Sequence, residues 1–165
     1  MDFLFFPGKT IPILLRRNRH GNGWYNGSEL PDGSWEGEEG TMVKEVDGYR
    51  MSDRMEDMRT ADIAELLATT YWAANRSQDD IEESIRRSLP FGLFRGSRQI
   101  GFARVVTDGV SVFWLCDVVI HKDHRGQGLG KMFLDFVLRE HTYRGLGILI
   151  TQDAHRLYEG YGYQT

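Results

Sequence analysis

A glycine-rich segment at residues 125–130, Arg-Gly-Gln-Gly-Leu-Gly, constrains the fold of this chain more than any other feature. It follows an apolar run that ends at Ile120, and it opens a helical pattern over residues 129–140. A glycine turn between a strand and a helix directs free backbone N–H groups and the positive end of the helix dipole at one point. The segment therefore predicts an anion site and, with it, a phosphorylated cofactor.

Three phosphate-binding motifs compete for this segment. A P-loop requires a glycine at the position of Arg125 and a serine or threonine at that of Met132, so the segment departs from it twice. A dinucleotide fingerprint requires its third glycine at Lys131 and an acidic residue near Leu146, so this interpretation is weak. The third pattern, Arg/Gln-x-x-Gly-x-Gly/Ala between a strand and a helix, is matched in full.

The elements around the turn predict a single mixed domain. Apolar periodicity indicates two helices between residues 60 and 90, three strands between 91 and 120, and a further strand and short helix after residue 145. The order β-α-α-β-β-β-α-β-α is typical of an α+β or mixed α/β fold around one sheet. A chain of 165 residues, 41% of them hydrophobic, suffices for one such domain and is short for two.

Residues 1–48 differ in composition from the rest of the chain. Residues 11–15 alternate like a short strand, and residues 21–40 hold six glycines together with Asn-Gly and Asp-Gly turn signals. We therefore expect residues 1–48 to form a glycine-rich extension that is partly disordered or carries a hairpin. The denser domain is expected over residues 49–165.

Charge and cysteine content narrow the class of protein. The net charge of −4 disfavours a general nucleic-acid-binding protein, which is usually basic. The single cysteine, Cys116, excludes an internal disulfide and favours a reducing compartment, so we expect a cytoplasmic protein. The sequence shows neither a signal-peptide core nor the roughly 18 consecutive apolar residues of a membrane span, so we expect no membrane partner.

Because of these motifs, residues 49–163 resemble the GNAT N-acetyltransferase superfamily. The glycine segment occupies the position of that family's cofactor loop, between its fourth strand and third helix. Residues 154–163 resemble the family signature A-x-x-L-Y-x-x-x-G-F, with Tyr158 at the central tyrosine and Tyr163 in place of the final phenylalanine. Residues 115–120, Leu-Cys-Asp-Val-Val-Ile, are similar to a group of small bacterial acetyltransferases of unassigned substrate.

The resemblance implies a fold and a cofactor. The fold is a central, mostly antiparallel sheet with splayed strands flanked by helices, and the cofactor is acetyl-CoA. The loop N–H groups would hold the pyrophosphate, and backbone groups of the splayed fourth strand would hold the pantetheine arm. The implied cofactor-binding residues are Val118, Val119, Ile120, Arg125, Gly126, Gln127, Gly128, Leu129, Gly130, Lys131 and Asp153.

The resemblance also implies direct acetyl transfer to a primary amine of a small molecule or peptide. Tyr158 occupies the position of the family's usual general acid. The alternative is that Tyr158 is a packing residue that only contacts the cofactor. Asp117, a carboxylate in an otherwise apolar strand, is the best candidate base, because burial would raise its pKa. A structural carboxylate bound to backbone or to an arginine is an equally good interpretation. Water could also remove the proton, and the N–H of Val118 or Val119 could stabilise the oxyanion.

Other residues carry weaker assignments. Tyr71 and Trp72, expected on the first helix, and His155, close to Tyr158, are placed on the substrate side by the resemblance. Asp153 replaces the family's usual asparagine but is expected to cap the last helix. No metal site is expected, since the histidines that flank the glycine loop lack ligand spacing and acidic companions.

One departure from the family bears on activity. The family's last strand pairs beside its fifth, whereas this sequence stops at Thr165, so we expect that strand to be missing or to be supplied by the N-terminal extension or a partner subunit. A homodimer is therefore left open. The competing functions are a non-catalytic acyl-CoA-binding or regulatory module of the same fold and a nucleotide-binding protein.

Overall fold

The computed structural model describes residues 13–17, 28–29, 35–36 and 41–164 of the chain. The strands are β1 (Ile13–Arg17), β2 (Ser28–Glu29), β3 (Trp35–Glu36), β4 (Val43–Val46), β5 (Tyr49–Ser52), β6 (Leu89–Arg95), β7 (Arg98–Thr107), β8 (Val112–Ile120) and β9 (Leu146–Ile150). The helices are α1 (Thr60–Ala68), α2 (Gln78–Arg86), α3 (Leu129–Arg139) and α4 (His155–Glu159).

Seven of the described strands form one sheet, in the order β1-β9-β8-β7-β6-β5-β4. Neighbouring strands are antiparallel except for the parallel pair β8 and β9. The expected fold class, mixed α/β around a mostly antiparallel sheet, is confirmed. The parallel pair follows from the connection between its strands, because α3 crosses over between β8 and β9 as in a βαβ unit.

Helices cover both faces of the sheet because each helix has one apolar side. α3 buries Phe133, Phe136 and Val137 against a cluster that includes Phe113 of β8. α1 and α2 pack their apolar sides on the opposite face, and that cluster comprises Ile63, Leu66, Leu67, Ala73, Ile81, Ile85, Phe102 and Val119. Each large side chain buried in this way contributes about 1.5–3 kcal/mol. No helix in the described part of the chain is long and apolar enough to cross a membrane.

Strands from the first 48 residues belong to the main sheet. β1 pairs antiparallel with β9, with Ile13 opposite Ile150 and Arg17 opposite Leu146. β4 and β5 form a hairpin whose turn, Asp47-Gly48, has positive φ at both residues. The expected boundary at residues 48 and 49 thus falls inside this hairpin. The predicted partial disorder falls on residues outside the described ranges. The described residues between β1 and β4 form one short antiparallel pair, β2 with β3.

A buried contact between a histidine and a carboxylate joins the end of α3 to the segment after β5. His141 Nε2 lies 2.9 Å from Asp53 Oδ2, and His141 Nδ1 lies 2.8 Å from the carbonyl oxygen of Phe136. The other oxygen of Asp53 accepts a hydrogen bond from the N–H of Met42 at 2.6 Å. The two side chains are only 7% and 3% exposed. The contact therefore joins two segments that are 88 residues apart in the sequence.

Candidate active site at the splayed strands

An opening lies between β8 and β9. The two strands pair only from Val112, opposite Leu146, to Trp114, opposite Ile148, although β8 continues to Ile120. Beyond Trp114 no strand in the described part of the chain pairs with β8 on this side. Because parallel strands end at the same edge of a sheet, the glycine segment after β8 and α4 after β9 flank this opening. The topology therefore brings two of the motifs found in the sequence together.

A β-bulge in β8 lies at Asp117. Phe102 pairs with Val119 but Arg104 pairs with Cys116, so Asp117 and Val118 together oppose the one intervening residue of β7. Asp117 has a φ of 54°, in the left-handed region that aspartate tolerates better than most residues. The bulge turns the backbone of β8 just where its pairing with β9 has ended.

Two arginines hold the carboxylate of Asp117. Arg76 donates from its two terminal nitrogens at 2.6 and 3.2 Å, and Arg104 donates from Nε at 2.6 Å. Burial alone raises the pKa of Asp117, but the hydrogen bonds and charges of Arg76 and Arg104 outweigh it and hold this pKa below the ordinary 3.8. The expectation that this pKa is raised was wrong. The base role stays a prediction, but the contacts favour the alternative of a carboxylate bound by arginine.

This ion cluster predicts an acid-dependent loss of stability. A carboxylate whose pKa is lower in the folded than in the unfolded protein stabilises the fold above the unfolded value, and that contribution disappears as pH falls through the folded value. We expect Asp117→Asn to lower the free energy of unfolding by a constant amount from pH 7 to pH ~5. Below pH 3.8 the difference from the unmodified protein should shrink. Urea unfolding at several pH values measures the difference between the two proteins in each range. A difference that does not change with pH would contradict a lowered pKa of Asp117.

Tyr158 lies on α4, beside the opening. Its side chain is only 7% exposed, and its ring meets that of Tyr163 edge to face, with the centroids 6.1 Å apart. Burial raises the pKa of Tyr158 well above its ordinary value, and Asp153 and Tyr71 raise it further. The phenol is therefore protonated at neutral pH, which is the state that a general acid requires.

Asp153 does not cap α4. The residue before this helix is Ala154, and no side chain caps the helix at that position. Instead Thr151 Oγ1 accepts a hydrogen bond from the N–H of Ala154 at 3.2 Å. Asp153 itself is exposed, and its charge acts on the hydroxyls of Tyr71 and Tyr158.

Tyr71, Trp72 and Arg76 come from the segment between α1 and α2. α1 ends at Ala68, so the expectation that the two aromatic residues lie on the first helix was wrong. Tyr71 is 46% exposed and Trp72 is 40% exposed, and their rings meet edge to face at 4.8 Å. Tyr71 hydrogen-bonds the backbone of Gln152, ahead of α4, while Arg76 reaches Asp117 of β8. One short segment therefore connects both sides of the opening, and His155 begins α4 next to it.

The glycine segment forms a cradle lined by backbone at the start of α3. Gly126 and Gly128 have φ of 75° and 79°, and Gly128 is the N-cap of the helix. A Cβ added at either residue, or at Gly130, meets no atom within 4 Å. The first helical hydrogen bond runs from Met132 N–H to the carbonyl of Gly128, so the N–H groups of the preceding turn have no helical partner. These residues fit a pyrophosphate.

The remaining cofactor candidates occupy distinct positions around this cradle. Arg125 donates from Nε to the carbonyl of Ile120 at 2.8 Å, so its side chain folds back over the end of β8. Gln127 donates to the carbonyl of Asp123 at 3.3 Å. Leu129 is buried in the core, whereas Lys131 is exposed on the first turn of α3. Val118 and Ile120 are half-buried on the splayed part of β8, and Val119 is buried under α1.

Neither Arg76 nor Arg104 was predicted from the sequence to belong to the site. Arg104 had a detectable signal, because it is a charged residue in an otherwise buried part of β7 and pairs with the neighbour of Asp117. Arg76 had none, since it lies in a turn and reaches Asp117 across 41 residues of sequence.

Comparisons with known proteins converge on one family. The family model described as the acetyltransferase (GNAT) domain matches residues 89–165. A crystallised protein of Xanthomonas campestris pv. campestris, described as a candidate acetyltransferase of the GNAT family, is 31% identical with a TM-score of 0.67. That match covers 73% of this chain and 87% of the Xanthomonas chain.

Two further relatives are more distant. A candidate acetyltransferase of Gibberella zeae is 29% identical over 85 residues, 41% of this chain and 48% of its own, so this chain spans about half the length of that relative. N-acetylglutamate synthase from Neisseria gonorrhoeae, solved with coenzyme A and N-acetyl-glutamate, is 16% identical with a TM-score of 0.58. The match covers 74% of this chain and 29% of the synthase, and it reflects a shared fold.

Proposed function

This chain belongs to the GNAT acetyltransferase family, and on that premise we propose that it transfers the acetyl group of acetyl-CoA directly to a primary amine of a small molecule or peptide. The observation that carries the proposal is the opening between β8 and β9, because the glycine cradle follows β8 and the helix of Tyr158 follows β9. A nucleotide-binding protein would need the cradle alone.

The cradle and the splayed strand suit the two halves of acetyl-CoA. The N–H groups from Gly126 to Lys131 would bind the pyrophosphate, since glycine keeps side chains away from phosphate oxygens. The backbone of residues 118–120, which β9 does not pair, would hold the pantetheine arm as an added strand does. A solved relative contains coenzyme A, which supports this choice of cofactor. Bound acetyl-CoA would supply the activated thioester.

The residues around the opening have separate tasks in the transfer. Bound acetyl-CoA would supply the acetyl carbon that forms a bond to the amine nitrogen as its bond to sulfur breaks. Tyr158, protonated at neutral pH, would donate its proton to the sulfur that leaves. Backbone N–H groups of Val118 or Val119 would stabilise the negative charge that develops on the carbonyl oxygen. Because Arg76 and Arg104 lower the pKa of the Asp117 carboxylate, Asp117 is a weak base. Water therefore removes the proton of the amine, and Asp117 has a positioning role.

Cofactor binding is the first test of this function. We expect acetyl-CoA to raise the Tm and ATP and NAD not to do so. Gly128→Ala should weaken acetyl-CoA binding because it places a Cβ in the cradle. Gly96→Ala, in the turn between β6 and β7, is the matched control, since Gly96 also has a positive φ and open space at its Cβ. Stabilisation by ATP or NAD instead of acetyl-CoA would overturn the cofactor assignment.

Turnover is the second test. We expect thiol release from acetyl-CoA to increase when an acceptor from a panel of primary amines is added. Tight acetyl-CoA binding with no amine-dependent thiol release from any acceptor would favour the non-catalytic module.

A further inference from the structure

We propose that the acceptor carries a carboxylate as well as its amine, and that Arg104 and Arg76 bind this carboxylate beside the bulge of β8. The proposal rests on the proposed function and names its class of substrate, a small amino acid or a peptide that presents an amine and a carboxylate together.

Arg104 has donors left over after its contact with Asp117. A guanidinium carries five N–H donors, and Arg104 uses Nε for the carboxylate. Its two terminal nitrogens have no hydrogen bond to any residue in the described part of the chain. The side chain is only 15% exposed, so these donors are partly shielded from water but still open to a ligand. Partly desolvated donors of a fixed cation favour an anionic partner, which binds such a fork with two parallel hydrogen bonds.

The charges of the cluster do not cancel. Two guanidinium groups face the single carboxylate of Asp117, which leaves one net positive charge. Cys116, opposite Arg104 on β8, does not offset this charge, because burial raises the pKa of its thiol to about 12 and keeps it neutral. A net positive cluster repels a diamine or polyamine, whereas it attracts the carboxylate of an amino acid.

The surroundings of the cluster suit the organic part of such an acceptor. Arg76 comes from the same segment as the exposed rings of Tyr71 and Trp72. Trp114, two residues before Cys116 and thus on the same face of β8, is 42% exposed. Tyr71 in turn lies close enough to Tyr158 to affect its pKa. The segment that carries Arg76 therefore also carries two exposed aromatic rings, one of them near the proposed acid.

Binding of product-like probes tests the proposal without turnover. N-acetylglycine and N-acetyl-β-alanine are compared with their primary amides in titrations of the protein saturated with coenzyme A. We expect the better carboxylate to bind about tenfold or more tightly than its amide, because charge-assisted hydrogen bonds to arginine are stronger than neutral ones. Equal binding of each carboxylate and its amide, or no binding by either, would overturn the proposal.

Variants identify the residues responsible. Arg104→Gln should abolish the preference for the carboxylate, whereas Arg98→Gln, an exposed arginine on the same strand, should preserve it. Asp117→Asn raises the net charge of the cluster and should tighten carboxylate binding. This second variant tests whether the cluster binds the carboxylate even if Arg104→Gln does not fold. Carboxylate binding that weakens in Asp117→Asn would contradict the assignment.

Turnover separates this proposal from the proposed function. Thiol release with simple alkylamines or polyamines but not with amino acids would overturn the acceptor class and leave the acetyltransferase intact. Absence of thiol release with every amine, combined with a carboxylate preference lost in Arg104→Gln, would overturn the enzyme and leave the anion site intact.

Discussion

Replacing Tyr158 by phenylalanine is expected to lower kcat for acetyl transfer by about 10²–10⁴-fold, the usual contribution of a general acid. The substitution removes one hydroxyl and leaves the ring in its contact with Tyr163. The Kd for acetyl-CoA and the free energy of unfolding should therefore change little. Steady-state thiol release with saturating amine, together with titration of acetyl-CoA, measures the two effects separately.

The control for this variant is Tyr161→Phe. Tyr161 lies three residues away, and its hydroxyl contacts the carbonyl of Lys131 at 3.1 Å and a carboxylate oxygen of Asp135 at 2.9 Å, beside α3. This variant should retain kcat and lose some stability. If Tyr158→Phe keeps kcat within about threefold, a threshold well below the acid's usual contribution, Tyr158 is a packing residue and not the acid.

Replacing His141 by alanine is expected to destabilise the protein by about 3–5 kcal/mol, because it leaves the buried Asp53 carboxylate with only its hydrogen bond from the Met42 N–H. The ring also meets Phe91 and Phe136 edge to face at centroid distances of 4.9 and 5.0 Å, so its loss leaves a cavity as well. Urea unfolding followed by circular dichroism measures the change.

A double-mutant cycle separates the contribution of the contact between His141 and Asp53 from the packing loss. Asp53→Asn combined with His141→Ala should cost clearly less than the sum of the two single variants, since the partner left behind is then neutral. His155→Ala, a partly exposed histidine at the start of α4, should stay within about 0.5 kcal/mol of the unmodified protein. Strict additivity of the cycle would show that Asp53 and His141 do not interact energetically.

The parts of the site that were predictable depend on local chemistry. The glycine segment requires positive φ at Gly126 and Gly128, and that requirement is visible in the residue types themselves. Tyr158 is recognised from a continuous motif on one short helix. The strand order β6-β7-β8 also follows from local patterns, because each strand is joined to the next by a short turn.

The parts that were not predictable depend on contacts between distant residues. Nothing near Asp117 in the sequence shows that Arg76 would reach it, and the direction of its pKa depends on that contact. Helix propensity extends α1 to Tyr71, whereas the tertiary contact with Gln152 places Tyr71 in a turn. The bulge is likewise a property of two paired strands, so neither strand shows it alone.

The pairing of β1 with β9 has a consequence for synthesis of the chain. β1 leaves the ribosome first among the described strands and its partner β9 is the last of them to be made, so β1 lacks its partner while the other described strands are synthesised. Contacts so distant in sequence close slowly because of their entropic cost. We therefore infer that a nascent chain arrested before residue 146 exposes the unpaired edges of β1, which favour aggregation.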